Sequence, residues 1–83
     1  MKLRYFAWVR ERVGHGEERV ELPATVATVA DLIGWLKTRG PGYEAAFAEP
    51  GVIRAAIDMI HVDHSAPVPA DAEVAFFPPV TGG

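Results

Sequence analysis

Apolar and polar residues alternate over residues 2–9, and this pattern predicts a β-strand at the start of the chain. The segment from Arg10 to Val13 could form a single helical turn before Gly14-His15-Gly16, where two glycines favour a reversal. Alternation returns over residues 17–22 and ends at Pro23. We therefore expect two antiparallel strands joined by a long loop. The inward residues would be Leu3, Tyr5, Ala7, Val9, Val20 and Leu22, and the outward residues of the first strand Lys2, Arg4, Phe6 and Trp8.

A helix is predicted in the middle of the chain by apolar residues spaced three and four apart. Thr28 followed by Asp31 is the pattern of a helix N-cap with a carboxylate at the third helical position. Gly40 and Pro41 provide the signal for its end. Packed against a sheet, this helix would supply most of the core. Its apolar face would consist of Val29, Leu32, Ile33 and Leu36.

The second half of the chain predicts shorter elements. A short helix around Tyr43 and Phe47 would end at Pro50-Gly51, and Pro67 and Pro69 indicate a surface loop. The predicted strands cover residues 54–58, 61–62 and 73–77, the last with Val74 and Phe76 inward and Ala75 and Phe77 outward. This order indicates an α+β fold in one domain spanning residues 1–83, with a mixed sheet and one main helix packed across it.

Composition and charge exclude several classes of function. The eight Lys and Arg residues are spread along a chain of net charge −3, which argues against nucleic acid as a ligand. With no cysteine, the chain has no disulfide, no thiolate nucleophile and no Cys-type zinc site. His61 and His64 would point to opposite sides of an extended segment, so we predict no metal site. The early charged residues and the lack of a membrane-length apolar run favour the cytoplasm over secretion or a membrane.

The end of the chain carries the candidate chemistry. Pro78 and Pro79 cannot continue a strand ladder, so residues 78–83 are predicted to project as a tail. The five residues beyond Pro78 would reach roughly 16–18 Å when extended. Gly82 and Gly83 have no Cβ, so the backbone could pass through a narrow channel into another protein's active site. The terminal carboxylate is a poor electrophile at neutral pH, so chemistry at this end requires prior activation.

Several motifs together resemble the MoaD family, the small, ubiquitin-like sulfur-carrier subunit of molybdopterin synthase. The specific part of the resemblance is the ending, in which a Glu-Val-Ala-Phe strand is followed by two prolines and a terminal diglycine. The motifs are Phe6-Ala7-Trp8-Val9-Arg10-Glu11, Glu21-Leu22-Pro23, Thr28-Val29-Ala30-Asp31-Leu32, Glu73-Val74-Ala75-Phe76-Phe77-Pro78-Pro79-Val80 and Gly82-Gly83.

The resemblance implies a β-grasp fold and a function for the tail. Gly83 would be adenylated by an ATP-dependent activating enzyme and converted to a thiocarboxylate. The stretch formed by Pro79, Val80, Thr81 and Gly82 would pass into the large synthase subunit. There Gly83 would deliver its sulfur to cyclic pyranopterin monophosphate. Two deliveries would make the dithiolene of molybdopterin. The family assembles as two small and two large subunits, and the small subunit binds no cofactor and needs no catalytic side chain of its own.

The expected partner interface consists of Phe6, Phe77 and His61. Phe6 and Phe77 are predicted to share an outward sheet face, and exposed apolar patches usually mark interfaces. By the resemblance, His61 lies near a position of the partner-binding face that the family usually fills with an apolar residue. Two further departures from the family are Asp58, where asparagine is common, and Ala70-Asp71-Ala72, which replaces a frequent Asp-Gly-Asp turn.

Three other functions remain open for a chain with this ending. The sulfur could serve thiazole or another sulfur-containing product, although such carriers usually lack the Phe-Pro-Pro ending. Gly83 could instead form amides with lysines of target proteins, as a ubiquitin-like modifier does. Finally, the chain could be an interaction module whose tail is inert, in which case deletion of Gly82 and Gly83 would have no effect.

Overall fold

The computed structural model describes residues 1–79, which form one five-stranded mixed sheet with helices packed on one face. Two single 3-10 turns, Lys37–Arg39 and Pro50–Val52, connect elements. The helices are α1 (Ala7–Val13), α2 (Val29–Leu36) and α3 (Pro41–Ala46). The strands are β1 (Lys2–Tyr5), β2 (Glu17–Arg19), β3 (Arg54–Ile57), β4 (Ile60–Val62) and β5 (Glu73–Phe77).

The sheet has the order β2-β1-β5-β3-β4, with β1 and β5 parallel and the other pairs antiparallel. The registers place Tyr5 beside Phe76 and Ala55 on the other side of Phe76. These residues belong to the core face. Because β5 is third in the order of five strands, it forms the centre of the sheet. Its alternation is as predicted, with Val74 and Phe76 buried and Phe77 on the opposite face. The arrangement confirms the expected β-grasp fold.

The first predicted strand is too long. The strand ends at Tyr5, Phe6 is extended, and α1 begins at Ala7, which adopts a left-handed φ of 52°. Val9 is buried as expected, but it reaches the core from the helix together with Val13, four residues later. The alternation of residues 2–9 is therefore not that of one strand. After Tyr5 the spacing of the buried residues becomes helical, since Tyr5, Val9 and Val13 recur every four residues. The predicted turn at residues 10–13 is the second half of this helix.

The chain reverses between α1 and β2 at the two glycines, as predicted. Gly14 caps α1 with φ 102°, a left-handed conformation that glycine adopts without strain. The second strand then pairs antiparallel with β1 as expected, although it is shorter than residues 17–22. Val20 is buried beyond its end, where its N–H donates to the carbonyl of Met1 at 2.9 Å.

The central helix α2 forms as predicted. Thr28 Oγ1 accepts from the N–H of Asp31 at 3.2 Å, while the Asp31 carboxylate accepts from the N–H of Thr28 at 3.1 Å. The remaining first-turn amides are also satisfied, since Val29 and Ala30 donate to the carbonyls of Ala66 and His64. The proline-containing loop therefore closes over the start of this helix. The predicted apolar face is buried throughout: Val29, Leu32, Ile33 and Leu36.

The helices and the sheet enclose an aromatic core. The ring of Phe76 lies edge-on to Phe47 with centroids 5.1 Å apart and stacks on Tyr5 at 6.4 Å. The predicted short helix is α3, which begins at Pro41 and brings Ala46 and Phe47 into this core. It approaches α1 so closely that a Cβ on Gly42 would lie 2.5 Å from the carbonyl oxygen of Arg12. Glycine is therefore required at position 42.

The predicted strands 54–58 and 61–62 form a hairpin, β3 and β4. β3 is one residue shorter and β4 one residue longer than predicted. Only Asp58 and Met59 connect the paired residues Ile57 and Ile60. Both have left-handed φ angles, 47° and 71°, as a type I′ turn requires. The Asp58 carboxylate accepts from the N–H of Glu73 at 3.0 Å, so the turn is fastened to the start of the central strand.

Candidate functional site

The central strand β5 ends directly before the predicted tail. Its last residue, Phe77, pairs with Arg54 of β3, and Pro78 and Pro79 follow directly. Pro79 is the last described residue and is partly exposed. The other predicted tail residues, Val80, Thr81, Gly82 and Gly83, lie outside the described part of the chain. The described part therefore fixes the strand from which the tail departs and the surface beside it.

The three residues predicted as a partner interface lie on that same outer face. His61 packs edge-on against Phe77, with ring centroids 5.1 Å apart. Phe6 follows β1, which runs parallel to β5 in a register that continues to Phe77, and its ring is 40% exposed. We refer to Phe6, Phe77 and His61 as the aromatic patch. The aromatic patch therefore lies at the end of β5, where the predicted tail begins.

Small residues occupy the outer strand positions next to the aromatic patch. Ala75 of β5 pairs with Ala56 of β3, and Ala56 in turn pairs with His61 of β4. These alanines share the outer face because Val74 and Phe76 alternate with Ala75 toward the core. Ala56 is only 6% exposed, so the larger side chains around it form the accessible surface at this point.

Basic side chains border the aromatic patch. The guanidinium of Arg4 lies 5.1 Å from the centroid of the Phe6 ring, in a cation–π arrangement. Arg54 pairs with Phe77 across β3 and β5 and is exposed. Arg54, His61 and Asp63 also line an open groove between the outer edge of the sheet and the following loop. The patch is therefore apolar at its centre and positively charged at its border.

A polar cluster on the opposite, core side of the sheet was missed by the sequence analysis. The Glu18 carboxylate accepts from the hydroxyls of Tyr5 at 2.8 Å and Tyr43 at 2.7 Å. Arg39 donates to the other oxygen, Oε1, at 2.8 Å, and His15 Nε2 lies 3.1 Å from Oε2, the oxygen that accepts from the two tyrosines. The signal was present in the pattern, because Glu18 has the same parity as the inward residue Val20 and is therefore an acid directed toward the core.

The Glu18 cluster, defined by Glu18, Tyr5, Tyr43, Arg39 and His15, shifts the ionisation of its members. Burial opposes the charge of Glu18, but hydrogen bonds from Tyr43, Arg39, Tyr5 and His15 outweigh it and hold the pKa of Glu18 at about 2. Burial and the hydrogen bond to Glu18 raise the pKa of Tyr43 to about 12, and the same causes raise the pKa of Tyr5. The cluster thus keeps a carboxylate charged and both phenols neutral across the physiological range.

The cluster connects several elements, and its two tyrosine hydroxyls have no proton left to donate to a ligand. The hydroxyls of Tyr5 and Tyr43 each have one proton, which they donate to Glu18. His15, predicted to be exposed, is exposed but also lies 3.2 Å from the Tyr43 hydroxyl. Because the donors come from β1, α3, the 3-10 turn and the loop before β2, we assign the cluster a role in stability.

The two remaining histidines lie in separate environments. His61 belongs to the aromatic patch, whereas His64 Nε2 is 2.7 Å from the carbonyl oxygen of Ile53. Between Met1 and Pro79, no three His, Asp or Glu side chains are grouped as metal ligands would be. In the same stretch, no helix is long and apolar enough to cross a membrane.

Comparisons with known proteins place the chain in a family. The ThiS family matches residues 3–83. The molybdopterin synthase sulfur carrier subunit of Escherichia coli is 37% identical over 83 residues, which cover 100% of this chain and 99% of that protein.

Solved structures agree with this placement. The molybdopterin converting factor, subunit 1, of Pyrococcus furiosus has a TM-score of 0.76 and 32% identity, covering 95% of each chain. SAMP1 of Haloferax volcanii, a small archaeal modifier protein, also has a TM-score of 0.76, with 30% identity over 100% of this chain and 98% of that one. The chain therefore belongs to the ThiS family, and within it the resemblance to the MoaD family is confirmed.

Proposed function

We propose that the chain is the sulfur carrier subunit of molybdopterin synthase and that Gly83 carries the sulfur. The observation that carries the proposal is the similarity to the Escherichia coli protein of that name, which extends over the whole of this chain and so includes its diglycine ending. The geometry supports it, since the tail leaves the central strand beside an exposed aromatic patch. A carrier needs this combination of a reactive end and an adjacent docking surface.

The chemistry proposed for Gly83 follows from the properties of a carboxylate. The carboxylate attacks ATP at the α-phosphorus, releasing pyrophosphate and forming an acyl adenylate, and a sulfur nucleophile then displaces AMP to leave a thiocarboxylate. The sulfur passes to cyclic pyranopterin monophosphate, and water returns the chain's end to a carboxylate. Two such transfers complete the dithiolene. Because the chain has no cysteine, its terminus is the natural place for it to hold sulfur.

Two partners follow from this proposal. An adenylating enzyme activates Gly83 with ATP, and the large synthase subunit receives the tail through Pro79, Val80, Thr81 and Gly82. The aromatic patch is proposed as the surface that both reactions require for docking. Two small and two large subunits would form the synthase, and acid–base groups and the pterin site would belong to the partners. The requirement for ATP places this chemistry in the cytoplasm.

The direct test is thiol alkylation followed by intact-mass analysis. The chain is incubated with the activating enzyme of the same organism, ATP and a sulfur source, and one alkyl label mapping to Gly83 is the expected result. Alkylation is needed because replacing oxygen by sulfur adds nominally the same mass as oxidising Met1 or Met59 to its sulfoxide. In a parallel sample, the thiocarboxylate chain is first mixed with the large subunit and pterin and only then alkylated, and its capacity to take the label should fall as dithiolene forms. Activation without a label would overturn the proposal.

A second candidate function is protein modification, favoured by the structural similarity to SAMP1 of Haloferax volcanii. In that case the adenylated Gly83 would form an amide with lysines of target proteins. Higher-mass conjugates that require Gly83 would appear in place of the thiocarboxylate. Transfer of sulfur to thiazole instead of the pterin is distinguished in the same assay by offering each acceptor to the thiocarboxylate chain before alkylation.

A further inference from the structure

The outer face of the sheet differs in charge from the rest of the molecule. Its strand positions carry four basic and two acidic residues, a net charge of +2, whereas the whole chain has a net charge of −3. Positive charge is therefore concentrated on the face that bears the aromatic patch. The charged residues at these positions are Lys2, Arg4, Arg19, Arg54, Glu17 and Glu73.

Both acids of this face lie away from the tail. Glu17 is 3.6 Å from Lys2, and Glu73 is 4.0 Å from Lys2 and 3.7 Å from Arg4. Glu73 begins β5, whereas the tail leaves from the other end of that strand. The neutralising contacts therefore involve Lys2 and Arg4, and Arg54, which pairs with Phe77 at the last residue of β5, takes no part in them.

Arg54 is the basic residue closest in register to the departing tail. It pairs with Phe77, the last residue of the central strand, and is exposed. Asp63 lines the same groove, but among residues 1–79 Arg54 has no acidic group within 4.0 Å. An unpaired guanidinium next to the half-buried phenyl ring of Phe77 is suited to an intermolecular ion pair at the border of an interface.

We infer that the outer face selects a partner whose docking surface has an apolar hollow bordered by carboxylates, with Arg54 as the residue that recognises them. The inference rests on the proposed function and specifies the surface of the large synthase subunit that receives the tail. The hollow accepts Phe77 and Phe6, and the carboxylates lie opposite the Arg54 guanidinium. Charge complementarity of this kind speeds association and excludes partners with basic borders.

The test compares three variants of equal length in binding to the large subunit from the same organism. Arg54→Glu reverses the charge in the border, Arg54→Lys retains it, and Lys37→Glu makes the same reversal on the helical side of the molecule. At about 0.05 M salt, we expect Arg54→Glu to raise Kd by about 10-fold or more, mainly through slower association. Arg54→Lys and Lys37→Glu should remain within about 3-fold of the unaltered chain.

Salt dependence and folding separate this effect from other causes. At about 0.5 M salt the loss in Arg54→Glu should shrink to about 3-fold or less, because screening weakens charge pairs at the border. The melting temperature should not change, since Arg54 is exposed. If Arg54→Glu binds like Lys37→Glu at both salt concentrations, the charge inference is wrong while Gly83 labelling can still support the sulfur carrier. Absence of binding by the unaltered chain would overturn both.

Discussion

The two faces of the sheet place their polar groups in opposite ways. On the core side, Glu18 accepts hydrogen bonds from Tyr5, Tyr43 and Arg39, and its side chain is only 15% exposed. On the outer side, Arg54 and the aromatic patch remain available to another molecule. This difference indicates that the Glu18 cluster stabilises the fold, whereas Arg54 and the aromatic patch are the residues proposed to bind a partner. Changes on one face should therefore leave the property of the other face intact, and the predictions below test that separation.

Blocking the end of the chain should have the largest effect on function and almost none on the fold. A segment fused after Gly83 removes the free carboxylate, so adenylation and labelling should be lost completely. The melting temperature should not change, because the core found among residues 1–79 ends at Phe76, before the predicted tail. Alkylation and thermal unfolding measure the two properties. The matched control carries the same segment behind a protease site, and cleavage back to Gly83 should restore labelling. Labelling of the uncleaved fusion would contradict the assignment of Gly83.

Replacing Glu18 by alanine should produce the largest loss of stability. The variant leaves the Tyr5 and Tyr43 hydroxyls and the Arg39 guanidinium without their acceptor. We expect the free energy of unfolding to fall by about 2–4 kcal/mol, because partly buried donors lose charge-assisted hydrogen bonds. Urea unfolding measures this, with Glu17→Ala on the exposed side of the same strand as the control. Equal, small effects in both variants would show that the cluster does not stabilise the fold.

The Glu18 cluster also predicts how stability depends on acid. The pKa of Glu18 is about 2 in the folded chain, against an ordinary value of 4.5, so acidification protonates the unfolded state first. Stability from this group is therefore complete above pH 4.5 and is lost as the pH falls toward 2. The free energy of unfolding of the unaltered chain should decline in this window more steeply than that of Glu18→Gln. Parallel curves for the two proteins would contradict the depressed pKa.

Truncation of Phe77 on the outer face should weaken docking with a smaller effect on stability. Phe77→Ala removes a ring that packs on His61 but leaves Phe76 and the core intact. We expect Kd for the large subunit to rise by about 10-fold or more, as for an aromatic anchor at an interface centre. Ile60→Ala is the control, because it shortens an apolar side chain that is more exposed, at 69%, and lies outside the aromatic patch. Similar losses in both variants would argue against a specific patch.

The sequence predicted the parts of the fold that depend on periodicity and side-chain chemistry. The capping box at Thr28 and Asp31 formed as expected, and so did the alternation of β5. The aromatic patch was predicted from parity and from the resemblance, and the register brought Phe77 and His61 into contact. The Glu18 cluster was missed because its members are up to 38 residues apart in the chain, from Tyr5 to Tyr43, and only the packed fold brings them together.

Backbone conformations that oppose local preference were also beyond the sequence pattern. Ala7 adopts φ 52° at the point where β1 gives way to α1, and Met59 adopts φ 71° in the hairpin turn. Alanine and methionine seldom take left-handed angles, so neither residue type signals such a turn. These conformations are imposed by the packing on either side of them: the core residues that follow Ala7, and the pairing of Ile57 with Ile60 around the turn.

A substitution in the hairpin turn between β3 and β4 should have the smallest effect of these predictions, and it should raise the stability of the fold. Met59→Gly should increase the free energy of unfolding by about 0.5–1 kcal/mol, because glycine takes the left-handed angle of a type I′ turn without strain. The Met59 side chain is 89% exposed, so its removal loses little packing. Met59→Ala removes the same side chain without relieving the strain, and it should give no increase. Urea midpoints compare the three proteins, and equal midpoints for the glycine and alanine variants would show that position 59 is unstrained. Because Met59 lies outside the aromatic patch, binding to the large subunit should be unchanged in both.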